Sequence, residues 1–386
     1  MRILVNDIAA SKTGALAILL DFYEYVKEKG GEHEWIFLTG IDCLKDPPEN
    51  IRVQVMDRVK RSQKDRLIFD LITGSSFIES LEPDLILSLQ NTLTLQGIKR
   101  LGSSADGRYK KGDRVPQVLY VHQPLGFQKL KRFSFLKAEE REYAVYQYLI
   151  GAMIDASVKR ADRVIVQTEW MREAVAKKCR IPLDRIAKVM PEVDSLEGYR
   201  VPENFDPKHF FFPSGEILYK NHECVLKAAA ILNKRGIKDF KVHFTLKSLA
   251  DVTKREYPDP YGNIFYSGRV SRKEVLSEYS RGTLLFPSYI ETFGVPLAEA
   301  RQTGTLILAS DTPFSREVLD GYKNAYFFDP FREEELADLM QQVIEGGLAP
   351  DGNSLWDEAG RGSVGEEKES ESGYGRLLSE MLRVFR

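Results

Sequence analysis

The sequence has little of what marks a secreted, membrane-spanning or metal-binding protein. Its three cysteines, Cys43, Cys179 and Cys224, are isolated and odd in number, which favours a reducing compartment and argues against a disulfide framework or a zinc site. No stretch approaches about 18 consecutive apolar residues, so no transmembrane helix is expected. A strand-like pattern starts within Met1–Asp7 and leaves no room for a signal peptide, so we expect a cytoplasmic protein. The five histidines show no metal-ligand spacing, and we expect no metal.

Positive charge is concentrated in the first half of the chain. Residues 1–190 hold 31 Lys and Arg against 25 Asp and Glu, whereas residues 191–386 hold 24 against 32, for a net charge of −2. The two basic clusters of the first half are Arg58, Lys60, Arg61, Lys64 and Arg66, and Lys99, Arg100, Arg108, Lys110, Lys111 and Arg114. Such clusters are either solvated loops or surfaces for anionic lipid, where each charge contributes about 1 kcal/mol.

Short apolar runs alternate with helix-like segments along most of the chain. The predicted strands are Ile3–Val5, Trp35–Leu38, Val53–Val55, Leu85–Leu89, Gln117–Val121, Arg163–Val166, Phe210–Phe212, Lys241–Leu246, Ile264–Tyr266, Leu284–Phe286, Thr305–Ala309 and Ala325–Phe328. The predicted helices include Leu16–Lys29, Leu67–Leu81, Met171–Cys179, His222–Asn233, Lys273–Arg281 and Glu333–Glu345. With 386 residues, this alternation predicts two α/β domains with doubly wound parallel sheets that face an interdomain cleft.

Changes in composition set the expected domain boundaries. The first domain is predicted over residues 1–195 and the second over 205–350, because Asp194–Asn204 has little periodicity and reads as a linker. Residues 351–373 are rich in Gly, Glu and Ser, which predicts a loose loop. Tyr374–Arg386 recovers helical spacing, and a helix this short must dock on another element to be stable.

Two glutamates flank a short, mostly apolar loop in the second half. Glu291 and Glu299 lie either side of a Phe-Gly-Val-Pro segment that follows the predicted strand Leu284–Phe286. Pro296 suits the first turn of a helix, and the free N–H groups of a helix start can bind phosphate. Carboxylates beside such a start can accept hydrogen bonds from hydroxyl groups. The pattern indicates a nucleotide-sugar site, and the alternative is a βα turn with two solvated glutamates.

Several motifs, in their order and spacing, resemble those of the retaining glycosyltransferases of family 4, which have the GT-B fold. The resemblance is strongest between residues 210 and 346 and is looser in the first half. The motifs are Phe265–Val270, Phe286–Ser288, Glu291–Glu299, Ala309–Asp311, Arg316–Leu319 and Phe327–Pro330, with Val118–Pro124 and Asp162–Thr168 in the first half. The family implies transfer of a sugar from a nucleotide sugar of UDP or GDP type, with retention of the anomeric configuration. It implies no metal and no cofactor, since the nucleotide sugar is the donor substrate. It also implies that Tyr374–Arg386 crosses back onto the first domain.

The resemblance assigns roles to residues of the second domain. Glu299 matches the glutamate that accepts hydrogen bonds from ribose hydroxyls, and Glu291 matches the residue near the donor sugar, close to the reacting centre. Lys220 matches the lysine that neutralises the diphosphate leaving group. The backbone N–H groups expected to face the sugar or phosphates are those of Phe293, Gly294 and Val295, where Gly294 tolerates positive φ.

Other assignments compete with structural roles. His122 is implied to contact the donor sugar or acceptor, or else it is a structural hydrogen-bonding group. Gly14, in the first βα loop, is implied to approach the phosphate and acceptor, or else it only makes a turn. Many family members carry an arginine where this chain has Glu216, and Arg269 or Arg316 would then have to compensate.

The expected function is transfer of a hexose to a saccharide or lipid-linked saccharide in cell-surface polysaccharide assembly, with no nucleic-acid partner. An anionic membrane surface is an expected partner, since Lys129–Ile150 is rich in aromatic and basic residues and is either an interfacial segment or a helix packed on the first domain. The alternatives are an inverting GT-B enzyme, a sugar-nucleotide epimerase, or a nonenzymatic nucleotide-sugar-binding subunit. A Rossmann dehydrogenase is disfavoured because Asn6–Gly14 contains no G-x-G-x-x-G turn.

Overall fold

The chain folds into two compact units, each built on a parallel sheet. A computed structural model describes residues 1–10, 13–94, 96–104, 109–193, 195–199, 201, 205–248, 257–351 and 372–385. The first unit comprises Met1–Phe127, Val145–Met190 and Ser370–Arg386, and the second comprises Gln128–Ala144 and Pro191–Glu369. The predicted loose loop at 351–373 lies almost wholly outside the described residues.

The first unit contains a sheet of seven strands in the order β3-β2-β1-β4-β5-β6-β7. All six neighbouring pairs are parallel. The strands are β1 (Arg2–Asp7), β2 (Glu34–Thr39), β3 (Ile51–Val55), β4 (Leu85–Ser88), β5 (Gln117–Tyr120), β6 (Arg163–Val166) and β7 (Ile186–Lys188). The central strands β1, β4 and β5 are buried almost throughout, as expected for a parallel sheet covered on both faces.

Helices lie between several of these strands in the chain. The helices of the first unit are α1 (Thr13–Lys29), α2 (Asp57–Lys60), α3 (Gln63–Ile68), α4 (Gly74–Ser80), α6 (Gly151–Arg160), α7 (Glu169–Cys179) and α13 (Gly373–Leu382), while α5 (Arg141–Ala144) belongs to the second unit. Phe69–Thr73 and Val145–Ile150 wind as π-helical turns, and Leu183–Arg185 and Arg383–Phe385 form single 3₁₀ turns.

The C-terminal helix α13 completes the core of the first unit. Leu377 and Met381, spaced four residues apart on one helix face, are buried in a cluster that includes Val5 and Phe22. Tyr374 packs its ring 5.9 Å from that of Phe22. The helix buries its apolar stripe against the first unit because a ten-residue helix has little stability of its own.

The second unit contains a six-stranded sheet in the order β10-β9-β8-β11-β12-β13, again parallel at every pair. Its strands are β8 (His209–Phe212), β9 (Lys241–Phe244), β10 (Ile264–Tyr266), β11 (Thr283–Phe286), β12 (Ile307–Ser310) and β13 (Ala325–Phe328). Its helices after α5 are α8 (His222–Lys234), α9 (Arg272–Arg281), α10 (Val295–Thr303), α11 (Pro313–Val318) and α12 (Glu333–Ile344), with 3₁₀ turns at Glu197–Tyr199 and Leu218–Lys220.

The predicted elements are present with shifts of a few residues at their ends. Three predicted strands, Arg163–Val166, Ile264–Tyr266 and Ala325–Phe328, have the bounds that the structure shows. Helix α9 begins with a capping box, because Ser271 and Glu274 each accept a hydrogen bond from the other's backbone N–H. The three-residue strand β7 was missed because it has no apolar run of its own.

The segment Lys129–Ile150 is not the single helix that was one of its two expected forms, and the interfacial role stays a prediction. Its first part lacks helix, and helical structure begins only at Arg141. Gln128–Ala144 also groups with the second unit, unlike the predicted first domain 1–195. Tyr143 explains the grouping, since its hydroxyl accepts the N–H of Leu218 at 3.1 Å and its ring lies 5.8 Å from that of Tyr219.

None of the helices within the described ranges is both long enough and apolar enough to cross a membrane.

Truncating the buried face of α13 should destabilise the first unit. We expect Met381→Ala to lower the free energy of unfolding by about 2–5 kcal/mol, because a fully buried side chain leaves a cavity. Ser379→Ala, on the exposed face of the same helix, should change it by about 0.5 kcal/mol or less. Urea unfolding followed by the fluorescence of the buried Trp35 measures both. Equal effects of the two variants would show that α13 does not contribute to this core.

Candidate functional site

An ion pair lies where strands β8 and β11 of the second unit end. Lys220 follows β8 in a short 3₁₀ turn, and Glu291 follows β11 in the loop before α10. The Nζ of Lys220 lies 2.5 Å from Oε1 of Glu291, and each side chain keeps less than a fifth of its surface exposed. Ser288 donates its hydroxyl to the same Oε1 at 2.8 Å. The structure therefore brings together Lys220, expected at the diphosphate, and Glu291, expected near the donor sugar.

The turn that carries Lys220 is fixed by the residue that follows it. Asn221 adopts a left-handed backbone conformation, with φ of 64°, and its amide donates to the carbonyls of Pro287 and Pro330 at 3.2 and 2.7 Å. The next residue, His222, is buried, and its Nε2 lies 2.6 Å from the hydroxyl of Ser214. Burial, together with the nearby positive charge of Lys220, lowers the pKa of His222 to about 3, so this imidazole is neutral at neutral pH.

The loop after Glu291 leads into the N-terminus of α10. Gly294 is the residue before the helix and has φ of 85°, a region that favours glycine. Phe293 is buried, whereas Val295, at the first helical position, is 38% exposed. Pro296 lies in the first turn, as the sequence predicted. The first N–H groups of this nine-residue helix thus come a few residues after Glu291 in the chain.

Glu299 is buried within α10 and is held by two residues of α9. Its carboxylate accepts a hydrogen bond from the Tyr279 hydroxyl at 2.8 Å and forms an ion pair with Arg272. Glu299 is 1% exposed, while the Arg272 side chain is half exposed. Burial and the negative charge of Glu299 raise the pKa of Tyr279 well above its usual range, so the phenol stays protonated and donates. The buried carboxylate of Glu299 is therefore paired with both a hydrogen-bond donor and a cation.

The two arginines considered as substitutes at the phosphate site differ in their surroundings. Arg316 forms a bidentate ion pair with Asp311, with both N–O distances 2.7 Å, and stacks 3.8 Å from the ring of Phe327. Its hydrogen-bonding edge is thus already occupied. Arg269 is exposed in the loop between β10 and α9, and Glu216 is exposed in the turn after β8. Arg269 is the better placed of the two to meet a ligand in solvent.

His122 lies at the carboxyl end of β5 in the first unit. Its Nε2 lies 2.9 Å from the carbonyl oxygen of Leu89 and 3.1 Å from the amide nitrogen of Asn91. The backbone N–H of His122 donates to the amide oxygen of Asn91 at 2.7 Å. Burial lowers the pKa of His122, with partial compensation from the Leu89 carbonyl, so the imidazole is neutral at neutral pH.

Three further residues lie at the carboxyl edge of the first sheet. Gly14 lies in the first turn of α1, and a Cβ added there would meet no atom within 4 Å, so the fold itself does not require glycine. Asp7 ends β1 and is buried, which raises its pKa to about 7 despite the nearby charges of Arg66 and Lys60. The side-chain amide of Gln90, just after β4, has no hydrogen-bond partner among the described residues. Sequence analysis missed Asp7 and Gln90 because only strand order brings them to the same edge.

Several cations of the two basic clusters are neutralised by partners within the first unit. Arg66 pairs with Asp70 at 2.9 Å, Arg100 pairs with Asp84 at 2.9 Å, and Arg114 pairs with Asp162. Arg108 lies outside the described residues. The exposed cluster members outside these three ion pairs are Arg58, Arg61, Lys64, Lys99, Lys110 and Lys111. The basic surface is thus smaller than the residue counts suggested.

Tyr279, Arg272 and Ser288 are the site residues that sequence reasoning did not find. Tyr279 and Arg272 are seven residues apart on α9, which places them on one helix face, but nothing in a lone sequence connects that face to Glu299. Ser288 is three residues before Glu291 and was noted only as part of a motif. Contacts across 20 or more residues, such as Tyr279 with Glu299, depend on tertiary packing.

Residues 199–361 match the family described as "Glycosyl transferases group 1". Among curated proteins, the chain is 26% identical over 220 residues to a D-inositol 3-phosphate glycosyltransferase of Paenarthrobacter aurescens, covering 49% of this chain and 50% of that protein. It is 22% identical over 200 residues to the O-antigen chain mannosyltransferase RfbU of Salmonella typhimurium, covering 50% of this chain and 53% of that protein. The chain thus spans about half the length of these curated relatives.

Solved structures match over the whole chain. Anabaena Alr3699/HepE in complex with UDP aligns with 99% of this chain and 100% of its own, with a TM-score of 0.64 at 15% sequence identity. The lipopolysaccharide outer core galactosyltransferase WaaB, in its apo form, aligns with 99% of each chain, with a TM-score of 0.60 at 15% identity. The fold is therefore GT-B, and the similarity to the group 1 glycosyl transferases covers residues 199–361.

Proposed function

We propose that the protein is a retaining glycosyltransferase that moves a hexose from a nucleotide sugar to a saccharide or lipid-linked saccharide acceptor in surface-polysaccharide assembly. The observation that carries the proposal is the largely buried Lys220–Glu291 pair, whose glutamate lies in the loop that leads into α10. The same helix carries Glu299, whose carboxylate is held in place by Tyr279. The activities named for the two curated relatives, glycosyl transfer and O-antigen mannosyl transfer, support the same reaction class.

The donor nucleotide sugar would occupy the carboxyl edge of the second sheet. Glu299 would accept hydrogen bonds from the ribose hydroxyls, which would replace its pairing with the half-exposed Arg272. The backbone N–H groups of Phe293, Gly294 and Val295 would face the sugar or the phosphates, where the helix dipole favours negative charge. Arg269 is a further candidate for the phosphates. HepE, one of the fold neighbours, was solved with UDP, and UDP is the first donor type to test.

In the proposed transfer, the bond between the anomeric carbon and the diphosphate oxygen breaks while the acceptor hydroxyl oxygen bonds to the same face of that carbon. The hydroxyl proton passes to the departing diphosphate oxygen, so no protein base is required. Lys220 would stabilise the charge that develops on that oxygen, and Glu291 would hold Lys220 and contact the sugar. The proposal involves no metal in this step. The anomeric configuration of the product, read by NMR, distinguishes a retaining from an inverting enzyme.

The acceptor would bind to the first unit. His122 and Gly14 lie at the carboxyl edge of its sheet, together with Asp7 and the unpaired amide of Gln90. A neutral His122 can donate a hydrogen bond to a sugar hydroxyl or accept one from it. It therefore suits a saccharide better than a charged side chain would. Contact of His122 with the sugar donor or acceptor remains part of the proposal.

The donor assignment predicts that Glu299→Gln weakens nucleotide binding. The amide keeps the size of the side chain but loses the charge that strengthens hydrogen bonds to hydroxyl groups, so Kd should rise about tenfold. Thermal shift across a panel of UDP and GDP sugars first identifies the donor, and calorimetry with that donor then measures Kd. Glu334→Gln, an exposed glutamate on α12, is the matched control and should bind as the wild type does. If Glu299→Gln and Glu334→Gln bind the donor equally well, Glu299 is not part of the donor site.

The leaving-group assignment predicts that Lys220→Met lowers kcat more than donor affinity. The charge on the departing diphosphate is greatest in the transition state, so loss of a preorganised cation should reduce kcat about 10²–10³-fold. Lys234→Met, at the exposed end of α8, should leave kcat unchanged. The measurement is the initial rate at saturating donor, with donor Kd measured in parallel. Near-wild-type turnover would show that another cation stabilises the departing diphosphate, and Arg269 would be the first residue to test.

Contact with a membrane surface is the last part of the proposal, and one exposed face of the first unit supports it. Arg61 and Lys64 are exposed at the start of α3, and Leu67, Ile68 and Ile72 follow with 45%, 38% and 61% of their surface exposed. Basic residues beside exposed aliphatic ones are typical of helices that lie in the headgroup region of a bilayer. Such a face would bring the acceptor-binding unit to a lipid-linked acceptor.

The membrane assignment predicts binding to anionic vesicles that decreases with added salt. Charges of this kind are screened within about 8 Å at physiological ionic strength. Arg61→Gln combined with Lys64→Gln should weaken vesicle sedimentation, and Ile72→Ser should weaken it further. Lys110→Gln with Lys111→Gln tests the second cluster, leaving Arg114 in its ion pair with Asp162. Equal binding to neutral and anionic vesicles, or none at low salt, would contradict the assignment and favour a soluble acceptor.

A further inference from the structure

Two histidines and a glutamate that are far apart in sequence meet inside the second unit. His209 begins β8, His243 lies in the neighbouring strand β9, and Glu278 lies on α9. The Nε2 of His209 is 2.6 Å and the Nδ1 of His243 is 3.1 Å from the same oxygen, Oε2 of Glu278. No more than 15% of any of the three side chains is exposed.

The geometry points to a binding site for one Zn²⁺ ion, with His209, His243 and Glu278 as its protein ligands. The three ligand atoms all lie within 4.8 Å of one another. In a tetrahedral zinc site with bonds of about 2.0–2.1 Å, neighbouring ligand atoms are about 3.3 Å apart, so small shifts would open the centre for the ion. Two imidazoles and one carboxylate suit zinc better than the all-oxygen sets preferred by magnesium or calcium. A water molecule would complete the four ligands.

The contacts of His243 allow a tautomer in which the lone pair of its Nδ1 faces Glu278. Its Nε2 lies 2.8 Å from Oγ of Ser267, and that hydroxyl lies 3.1 Å from the carbonyl oxygen of Gly268 and 3.4 Å from that of Phe244. If Ser267 donates its single proton to either carbonyl, it must accept the Nε2–H of His243. The Nδ1 of a neutral His243 then carries a lone pair that faces a carboxylate oxygen. A cation between them removes this repulsion.

The outer contacts also match those of known metal sites. Histidine ligands usually donate their second ring N–H to a nearby oxygen, which fixes the ring and its tautomer, and Ser267 would do this for His243. Arg281 lies 3.5 Å from Oε1 of Glu278, so it occupies the oxygen that does not face the imidazoles. The rings of Phe211 and Phe265 lie 5.2 and 4.9 Å from His243 and limit its movement. The ion would join β8, β9 and α9 and would take no part in sugar transfer.

Zinc titration of the full-length protein tests this assignment without any assay of transfer. Chelator-treated wild-type protein should bind one Zn²⁺ per chain with Kd below about 10 μM, and at about 100-fold excess over Kd the Tm should rise by about 5 °C or more. His243→Gln and Glu278→Gln should each weaken zinc binding at least about tenfold. His33→Gln, a histidine of the first unit, should bind zinc as the wild type does.

X-ray absorption of the zinc-loaded wild type gives a readout that does not depend on the folding of any variant. The expected spectrum has only nitrogen and oxygen neighbours, with imidazole scattering and no sulfur. A sulfur neighbour would place the ion at one of the cysteines, and equal zinc affinity of wild type and His243→Gln would place it elsewhere; either result overturns the proposal. Absence of stoichiometric binding would overturn it too and leave a metal-free imidazole–carboxylate cluster.

Discussion

The structure depends on one constraint, which is that a polar side chain is costly to bury in a strand covered on both faces, so such strands are mostly apolar until they end. In the second unit, strands β8, β11 and β12 are apolar over most of their length, and the polar groups of the candidate site begin where β8 and β11 stop. Ser214 and Ser288 follow β8 and β11, and Lys220 and Glu291 follow within the same two loops. Because all strands are parallel, these loops meet at one edge of the sheet. Chemistry is therefore confined to that edge by the packing of the core.

The buried carboxylate of Glu299 shows how such an edge holds charge in the absence of a ligand. A carboxylate that is 1% exposed needs partners, and α9 supplies a neutral donor, Tyr279, and a cation, Arg272. Tyr279 is buried and fixed, whereas Arg272 is half exposed and can leave without being desolvated. In the proposed function, ribose hydroxyls would take the place of Arg272. Binding then exchanges one set of hydrogen bonds for another, so little of the interaction energy is spent on desolvating the carboxylate.

Local patterns predicted most of the fold, and packing decided what they could not predict. Apolar runs located twelve of the strands because a buried parallel strand must be apolar, whereas β7, with only three residues, gave no such run. Lys220 and Glu291 were found from motifs, but their ion pair joins residues 71 positions apart and depends on β8 lying beside β11. His209 and His243 show no metal-ligand spacing in sequence. They meet because β8 pairs with β9 in a register that sets Phe210 opposite Val242.

Helix α9 connects the proposed zinc site to the proposed donor site through two consecutive residues. Glu278 and Tyr279 are separated by about 100° around the helix, so one side chain reaches the histidines of β8 and β9 while the other reaches Glu299 on α10. The ring of Tyr279 also packs 5.9 Å from that of Phe211 in β8. A displacement of α9 that lengthened the Glu278 contacts would therefore move the Tyr279 hydroxyl away from the carboxylate it holds. The contacts of Glu278 anchor α9 to the sheet, either by hydrogen bonds alone or with a bound ion. This anchoring keeps the hydroxyl of Tyr279, the neutral donor to Glu299, in the position that orients the Glu299 carboxylate.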